Sequence, residues 1–404
     1  MDPIVVGVFI LVYVGMILGE LPTLRLDRSD IALIGAIVLV ASGRMSTAAA
    51  WHAVDVTTMA LLFSLMVISA QFRLAGFYTA LTRRVDDSAH APAMLLAYVI
   101  VTAGALSAIL LNNIVCLAMA PLLVEICARQ RLDPIPFLLA LACASNVGSA
   151  ATLIGNPHNI LIGQTLQLSF TRYLIDGGVP AAAGLGLIWL VIWLLYRRRW
   201  VREMPLVDVG APPVDRWQVQ KGAVVVTAVI AAFLFSPWPR QVVALTAAGV
   251  LLVSRRMASR EMLRQIDWRL LLLLVGLFVV NRAIAQSGLV NGLLMMSRMS
   301  GIDWTSPPTL FVGTAVLSNI LSSVPAVMLL LPAARDEMTG AVLALSSTLA
   351  GNFLIAGSIA NIIVVDQAKR LGQVIDWRTH ARVGIPVTAL TLAVAAAWLA
   401  FRGA

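Results

Sequence analysis

Charge is scarce in this chain. Only 12% of its 404 residues are Asp, Glu, Lys or Arg, while 60% are hydrophobic. A water-soluble domain of this length cannot hide so much apolar surface, so the soluble classes are excluded and an integral membrane protein is left. Four stretches, 104–124, 140–165, 311–333 and 341–365, hold no charged residue at all. The three cysteines, Cys116, Cys127 and Cys143, lie in apolar segments and suggest no disulfide framework. They read as small apolar helix residues, with soft-thiolate binding of trivalent arsenic as the sharper alternative. His-Glu-x-x-His, Gly-x-Ser-x-Gly and Walker sequences are missing, which excludes an ATP-driven pump on this chain and gives no sign of an enzyme or a cofactor. No basic stretch precedes the first apolar run, so a retained span is expected rather than a cleaved signal. The net charge of +9 comes from arginines at the ends of apolar runs. That placement points to topology and anionic lipid head groups, not to nucleic acid.

The apolar runs themselves predict an all-α polytopic membrane protein. Spans are expected at 4–20, 30–43, 55–72, 136–170 (interrupted), 176–196, 220–236, 241–254, 268–286, 341–366 (interrupted) and 381–401. Two more apolar regions, 91–127 and 307–333, are broken near the middle by Asn112-Asn113 and Ser318-Asn319, and fit re-entrant helical hairpins. With ten spans and two hairpins, 22 of the 29 Lys and Arg residues fall on one side and 7 on the other. The rich side is expected to be cytoplasmic and both termini to face outward across a bacterial-type inner membrane.

The chain repeats itself. Asn112-Asn113 precedes Ser145-Asn146 by 33 residues, and Asn319 precedes Asn352 by the same 33. Gly155-Asn156-Pro157-His158-Asn159 has its counterpart 202 residues on in Gly357-Ser358-Ile359-Ala360-Asn361. Ile31–Arg44 resembles Val243–Arg256 at an offset of 212. Two halves, 1–196 and 220–404, joined by a basic linker at 197–219, would each hold an odd number of spans and so run in opposite directions. Inverted repeats give one sequence two related conformations, open to either side.

Uncharged amides and small residues at membrane depth are the candidate site: Asn112, Asn113, Ser145, Asn146, Thr152, Gly155, Asn156, Asn159, Ser318, Asn319, Ser322, Asn352, Gly357, Ser358 and Asn361. Hydrocarbon tolerates broken backbone only where protein or water surrounds it. The expected geometry is a helix stopping near Thr152, an extended bridge, and a new helix at Pro157 capped by Asn156. Pro121, Pro325 and Pro332 are expected to disturb the descending hairpin arms. Helix N-termini and amides suit an anion or a neutral polyol-like solute better than a bare cation. His158 has two readings: a coupling group, histidine being the residue type that ordinarily titrates between pH 5 and 8, or a packing residue in the x position of Gly-Asn-Pro-x-Asn. Asp366 has two readings: an interior proton or sodium carrier, or a surface acid facing Lys369 and Arg370.

At SNVGSAATLIGNPHNILIG the chain resembles the ion transporter superfamily, which holds arsenical pump membrane proteins (ArsB), sodium/proton antiporters, citrate-metal transporters and divalent anion/sodium symporters. Asn146, Gly148, Thr152, Gly155, Asn156, Pro157 and Asn159 follow the family signature, while Ser149 and His158 depart from it. The resemblance implies a homodimer in which a transport domain moves like an elevator against a fixed scaffold. It implies that Asn113 and Asn319 correspond to hairpin-tip amides holding sodium and substrate. Ile114 and Ile320 stand where the symporters favour Thr. The expected function is secondary active transport of a small anion, oxyanion or arsenite, coupled to H+ or Na+. A sodium/proton antiporter of the same fold, or a channel or membrane sensor, are the alternatives.

Overall fold

Aspartates and serines at the ends of the apolar runs start most of the helices. In the computed structural model Asp2, Asp27, Ser46, Asp55, Asp133, Ser169, Asp215, Asp267 and Asp336 each precede a helix and accept first-turn N–H groups. Each cap satisfies donors that a helix cannot pair internally. The structure describes the whole chain except residues 1, 22–25, 89–90, 203–204, 206–209, 211, 255–256, 290–291, 293–300 and 404. Arg25, Arg255, Arg256 and Arg298 of the charge count, and part of the 197–219 linker, therefore lie outside the described residues.

The first half runs α1 Pro3–Leu18, α2 Arg28–Ala41, α3 Thr47–Ala53, α4 Val56–Leu74, α5 Phe77–Ser88, α6 Pro92–Ile109, α7 Asn112–Arg129, α8 Pro134–Ser149, α9 Pro157–Thr165 and α10 Phe170–Tyr196. The second runs α11 Arg216–Phe235, α12 Arg240–Leu252, α13 Ser259–Arg264, α14 Trp268–Gln286, α15 Pro307–Leu321, α16 Ser323–Leu330, α17 Glu337–Ala350, α18 Ile359–Arg370 and α19 Trp377–Gly403. A two-residue antiparallel pairing, Glu20–Leu21 with Leu26–Asp27, is the only sheet among the described residues. Seven helices (α4, α6, α7, α10, α11, α14 and α19) are long and apolar enough to cross a membrane. The protein is an all-α, multi-pass membrane protein.

Nearly every residue of α8 is buried, as is α17 from Thr339 to Ala350. A helix apolar all round belongs in the interior, and α6, α7, α10, α15, α18 and α19 pack around these two. A second group, α1, α2, α4, α11, α12 and α14, packs mainly on itself and meets the remaining helices, the short α3, α5 and α13 aside, at α4 with α7 and α9, at α14 with α16, at α1 with α15 and at α11 with α10.

Ion pairs and hydrogen bonds tie loops to one another at the two ends of the bundle. On the arginine-poor end Arg44 pairs with Asp2, Arg172 with Glu337 and Arg402 with Asp176, while Arg240 donates to the Leu168 carbonyl. On the rich end Arg202 pairs with Asp133, Arg269 with Asp27, and Arg73 bonds Gln265. Each contact joins residues that the sequence places on one side.

Several expectations are corrected. The first bridge begins at Ala150, just after the end of α8 at Ser149, rather than near Thr152. Pro121 sits inside an unbroken α7. The tips also differ from the sequence pattern. In the first hairpin the chain turns at Leu110 and Leu111, so Asn112 and Asn113 open the descending helix. In the second it turns at Ser322, so Ser318 and Asn319 end the ascending helix. The matching amide pairs are therefore not structurally equivalent. The short helices α3, α5 and α13 are additions, too brief or too polar to read as spans.

Candidate functional site

The two bridges are built alike. Asn156 caps α9 by accepting Asn159 N–H at 2.8 Å, and Ser358 caps α18 by accepting Ala360 N–H at 3.2 Å. The carbonyls left free in each bridge need donors. Asn159 Nδ2 donates to Thr152 O at 3.0 Å and Ser149 O at 3.4 Å. Asn361 Nδ2 donates to Leu354 O at 3.1 Å and Gly351 O at 2.8 Å. Donors and acceptors correspond at the same 202-residue offset as the Gly motifs. Tyr173 of α10 donates to Ala150 O at 3.1 Å, and His380 Nε2 of α19 lies 3.0 Å from Asn352 O, a carbonyl that can only accept. The two long helices come this close because glycine faces each bridge. A Cβ on Gly177 would stand 2.5 Å from Ala150 O, and one on Gly384 2.3 Å from Asn352 O.

The bridges are then tied to each other reciprocally. Asn146 of α8 donates to Asn352 Oδ1 at 2.8 Å and Asn361 Oδ1 at 2.9 Å, and accepts from Ser358 Oγ at 2.8 Å. Its counterpart, Thr348 of α17, donates to Asn159 Oδ1 at 3.2 Å, accepts from Asn156 Nδ2 at 3.3 Å, and lies 2.8 Å from His158 Nε2. Each broken helix thus holds the cap and the amide of the other. The hairpin tips join the same way. Asn112 N–H reaches Gly155 O at 3.1 Å and Ser323 Oγ reaches Gly357 O at 3.4 Å, which places both tips at bridge depth.

Between these parts lies a cavity of about 30 Å3 lined by Asn112, Asn113, Asn146, Asn156, Pro157, His158, Ser322, Ser323, Val324, Thr348, Gly357, Ser358 and Ile359. Its volume suits one or two water-sized groups. The starts of four helices, α7, α9, α16 and α18, meet on it. Each brings the positive end of its dipole and its first-turn N–H groups, of which those of Asn112, Asn159 and Ala360 are bonded to Gly155 O, Asn156 and Ser358. No Asp, Glu, Lys or Arg lines it. Asn112 Oδ1 is buried without a partner. Two larger spaces reach the site residues from the arginine-rich end, one of about 250 Å3 at Asn113 and one of about 540 Å3 at Ser322. The metal-ligand clusters that a bound transition metal would need are absent among the described residues.

Ser322 carries the strain of the second tip. Its φ of 73° and ψ of 155° lie in a region that only glycine enters freely. Ser322→Gly is expected to raise stability by about 1 kcal/mol, read as an upward shift of the melting temperature in detergent. An unchanged or lower melting temperature would mean that the serine hydroxyl, not the backbone, governs the tip.

Of the residues singled out in the sequence, Asn112, Asn113, Asn146, Asn156, His158, Ser322, Gly357 and Ser358 line the cavity. The others stand behind it. Asn159 and Asn361 hold the bridges, and Asn352 accepts from Asn146. Thr152 Oγ1 donates to Ala108 O at 2.6 Å, and Ser145 Oγ to Asn112 O at 3.3 Å. Gly155 is pressed against Ser149 and Ser107 backbone. Asn319 Nδ2 donates to Ala315 O and Ala350 O, both at 3.0 Å, while Ser318 Oγ is buried without a partner. Asp366 lies away from the cavity with its side chain 48% exposed, paired to Arg370 at 2.9 Å. Sequence reasoning missed Thr348, Tyr173 and His380. Counting back 202 residues from Thr348 to Asn146 would have found the first; nothing local marks the other two.

Residues 13–342 match the CitMHS citrate transporter family. The chain belongs to that family. The match bears out the resemblance to the ion transporter superfamily and makes the protein a membrane transporter, with a small molecule or ion as cargo. Among similar proteins, a 46 kDa membrane protein of Mycobacterium leprae is 26% identical, covering 100% of this chain and 99% of its own length. The silicon efflux transporter LSI3 of Oryza sativa subsp. japonica is 27% identical over 98% of this chain and 96% of its own. An uncharacterized transporter of Mycobacterium tuberculosis is 29% identical, covering 94% of each. The crystal structure of the Alcanivorax borkumensis YdaH transporter superposes with a TM-score of 0.58 at 14% identity, covering 99% of this chain and 97% of that one. At that identity the likeness concerns the fold alone. The transporter family and the transporter names of the rice and Mycobacterium tuberculosis relatives agree with the lack of hydrolase motifs.

Proposed function

We propose that this member of the citrate transporter family is a secondary active transporter for a small oxyanion or carboxylate, or for a neutral oxyacid such as arsenous acid. A proton or sodium gradient drives it across a bacterial-type inner membrane, with both termini on the outer side. The observation that carries the reading is the convergence of four helix starts on one small cavity whose wall, among the described residues, holds His158 but no Asp, Glu, Lys or Arg. Such a cavity stabilises negative charge or electron-rich oxygen and repels a bare cation. Its size favours a cargo of few atoms over a large tricarboxylate. LSI3, whose name assigns it silicon efflux, and the arsenical pump branch both fit a small oxygen-rich solute.

Oxygens for a coupling cation are at hand beside the second tip. Thr314 Oγ1, Ser318 Oγ and Asn319 Oδ1 are all buried without partners, and oxygen ligands of this kind suit a hard cation. The sodium/proton antiporter reading loses support because Asp366 pairs with Arg370 at the surface and His158 is engaged by Thr348. The two halves, 1–196 and 220–404, joined by 197–219, form inverted repeats in this reading. The group around α8 and α17 moves like an elevator against the α1, α2, α4, α11, α12 and α14 group, within a homodimer.

Flux into proteoliposomes decides the matter. Oxyanions, carboxylates and arsenite are each offered under proton and sodium gradients. At least one is expected to accumulate only when a gradient is imposed. Absence of flux for every solute under every gradient, in protein that remains monodisperse, would remove the reading, and conductance at channel rates would replace it.

A further inference from the structure

The arginine-rich end holds a feature that the amide site does not use. The cavity of about 250 Å3 runs from Asn113 out to Arg73 and Arg264, with Leu117, Gln265 and Asp267 also on its walls. Arg73, in the last turn of α4, is half-buried and gives one N–H to Gln265 Oε1 at 2.8 Å. A guanidinium offers five donors in a planar fork, so most of its capacity is open. Neither Arg73 nor Arg264 has a carboxylate within ion-pair distance among the described residues. The acid in the same cavity, Asp267, is committed to its own helix, accepting Leu270 N–H at 3.1 Å as the cap of α14. Two guanidinium groups against one capping carboxylate leave the space positive. A partly desolvated cation without a counter-ion is unfavourable, and a walled cleft of one sign concentrates ions of the other.

We propose that this vestibule is a second anion subsite, a holding point at Arg73 and Arg264 for a small oxyanion or carboxylate on its way to or from Asn113. Arg73 grips the anion through its fork, Arg264 draws it in from the aqueous end, and Asn113 is the common wall through which it passes to the four helix starts. The subsite selects for charge before the inner cavity selects for size. The inference deepens the anion reading above and rests on it for its biological sense, but its test does not require transport.

Leu117→Cys places a reporter thiol on the cavity wall, in a chain whose buried Cys116, Cys127 and Cys143 are replaced by alanine. Ile363→Cys, also on the cavity wall, is the second reporter, should the first fail to fold. The reporter is labelled with anionic and with cationic methanethiosulfonates in phosphatidylcholine nanodiscs. The anionic reagent is expected to be favoured about tenfold or more over the ratio at 2-mercaptoethanol. Sulfate should slow its reaction, and Arg73→Gln or Arg264→Gln should remove most of the preference. A ratio equal to that of the free thiol, or one that Arg73→Gln leaves unchanged, overturns the proposal. Loss of the sulfate effect in phosphatidylglycerol nanodiscs overturns it too, because lipid phosphate would then be the occupant. In transport, Arg73→Gln should raise KM for anions offered at this end and leave uptake of neutral arsenous acid unaltered. If no solute is transported at all, the labelling still reports on the vestibule, so the two failures can be told apart.

Discussion

Asn146→Ala is expected to abolish transport and to lower the stability of the protein by roughly 3–6 kcal/mol. Asn146 is the one side chain that both broken helices and the first hairpin share. It gives protons to Asn352 and Asn361 and receives them from Ser358 and from Asn112 Nδ2, the last at 3.3 Å. Truncation leaves these polar groups buried with a bond missing, and each buried unsatisfied group costs about 1–3 kcal/mol. The losses do not simply add, because Asn361 and Asn352 retain other partners. Asn361 also holds the second bridge through Leu354 O and Gly351 O, so disorder spreads to the start of α18. Thermal melting in detergent and flux in vesicles test this together. A variant that melts like the parent would show that the reciprocal ties are dispensable, and the site would have to be held by the surrounding helices alone.

Asn113→Asp is expected to cut anion flux at least about 100-fold, equivalent to roughly 3 kcal/mol, with the melting temperature nearly unchanged. Asn113 is half-buried and lines both the inner cavity and the vestibule, and no bridge depends on it. A carboxylate there has the shape of the amide. It would sit at the starts of four helices as a tethered anion and occupy the field meant for the cargo. Asn319→Ala should behave in the opposite way. Its Nδ2 pins Ala315 O and Ala350 O, so its loss should register in stability as much as in flux. If Asn113→Asp moved anions at the parental rate, the cargo's charge would not lie at these helix ends.

Much of this was legible in the sequence because membrane depth makes polar residues conspicuous. Asn156 before Pro157 announces a helix start, since proline needs no N–H partner and asparagine supplies a cap, and the structure places that start at Pro157. The 202-residue offset between the Gly motifs proved to be the offset of the hydrogen bonds as well. The 33-residue spacing of the amides misled. It paired Asn113 with Asn319 across a change in hairpin length, so one amide opens a helix while the other closes one. Ser322 as the second tip carried no local signal, because no propensity favours serine at its φ of 73°.

Composition, the uncharged stretches and the matched polar breaks determined by themselves that this is a polytopic helical membrane protein with two interrupted helices and helix starts at mid-depth. Low-dielectric surroundings make an unpartnered amide costly there, but they do not say which groups pair. Only the tertiary structure decided that Asn146 meets Asn361, that Thr348 meets Asn159 and His158, and that Tyr173 and His380 serve corresponding bridge carbonyls. Those choices depend on how helices far apart in sequence pack and on where a glycine lets two backbones approach, and spacing along the chain does not carry that information.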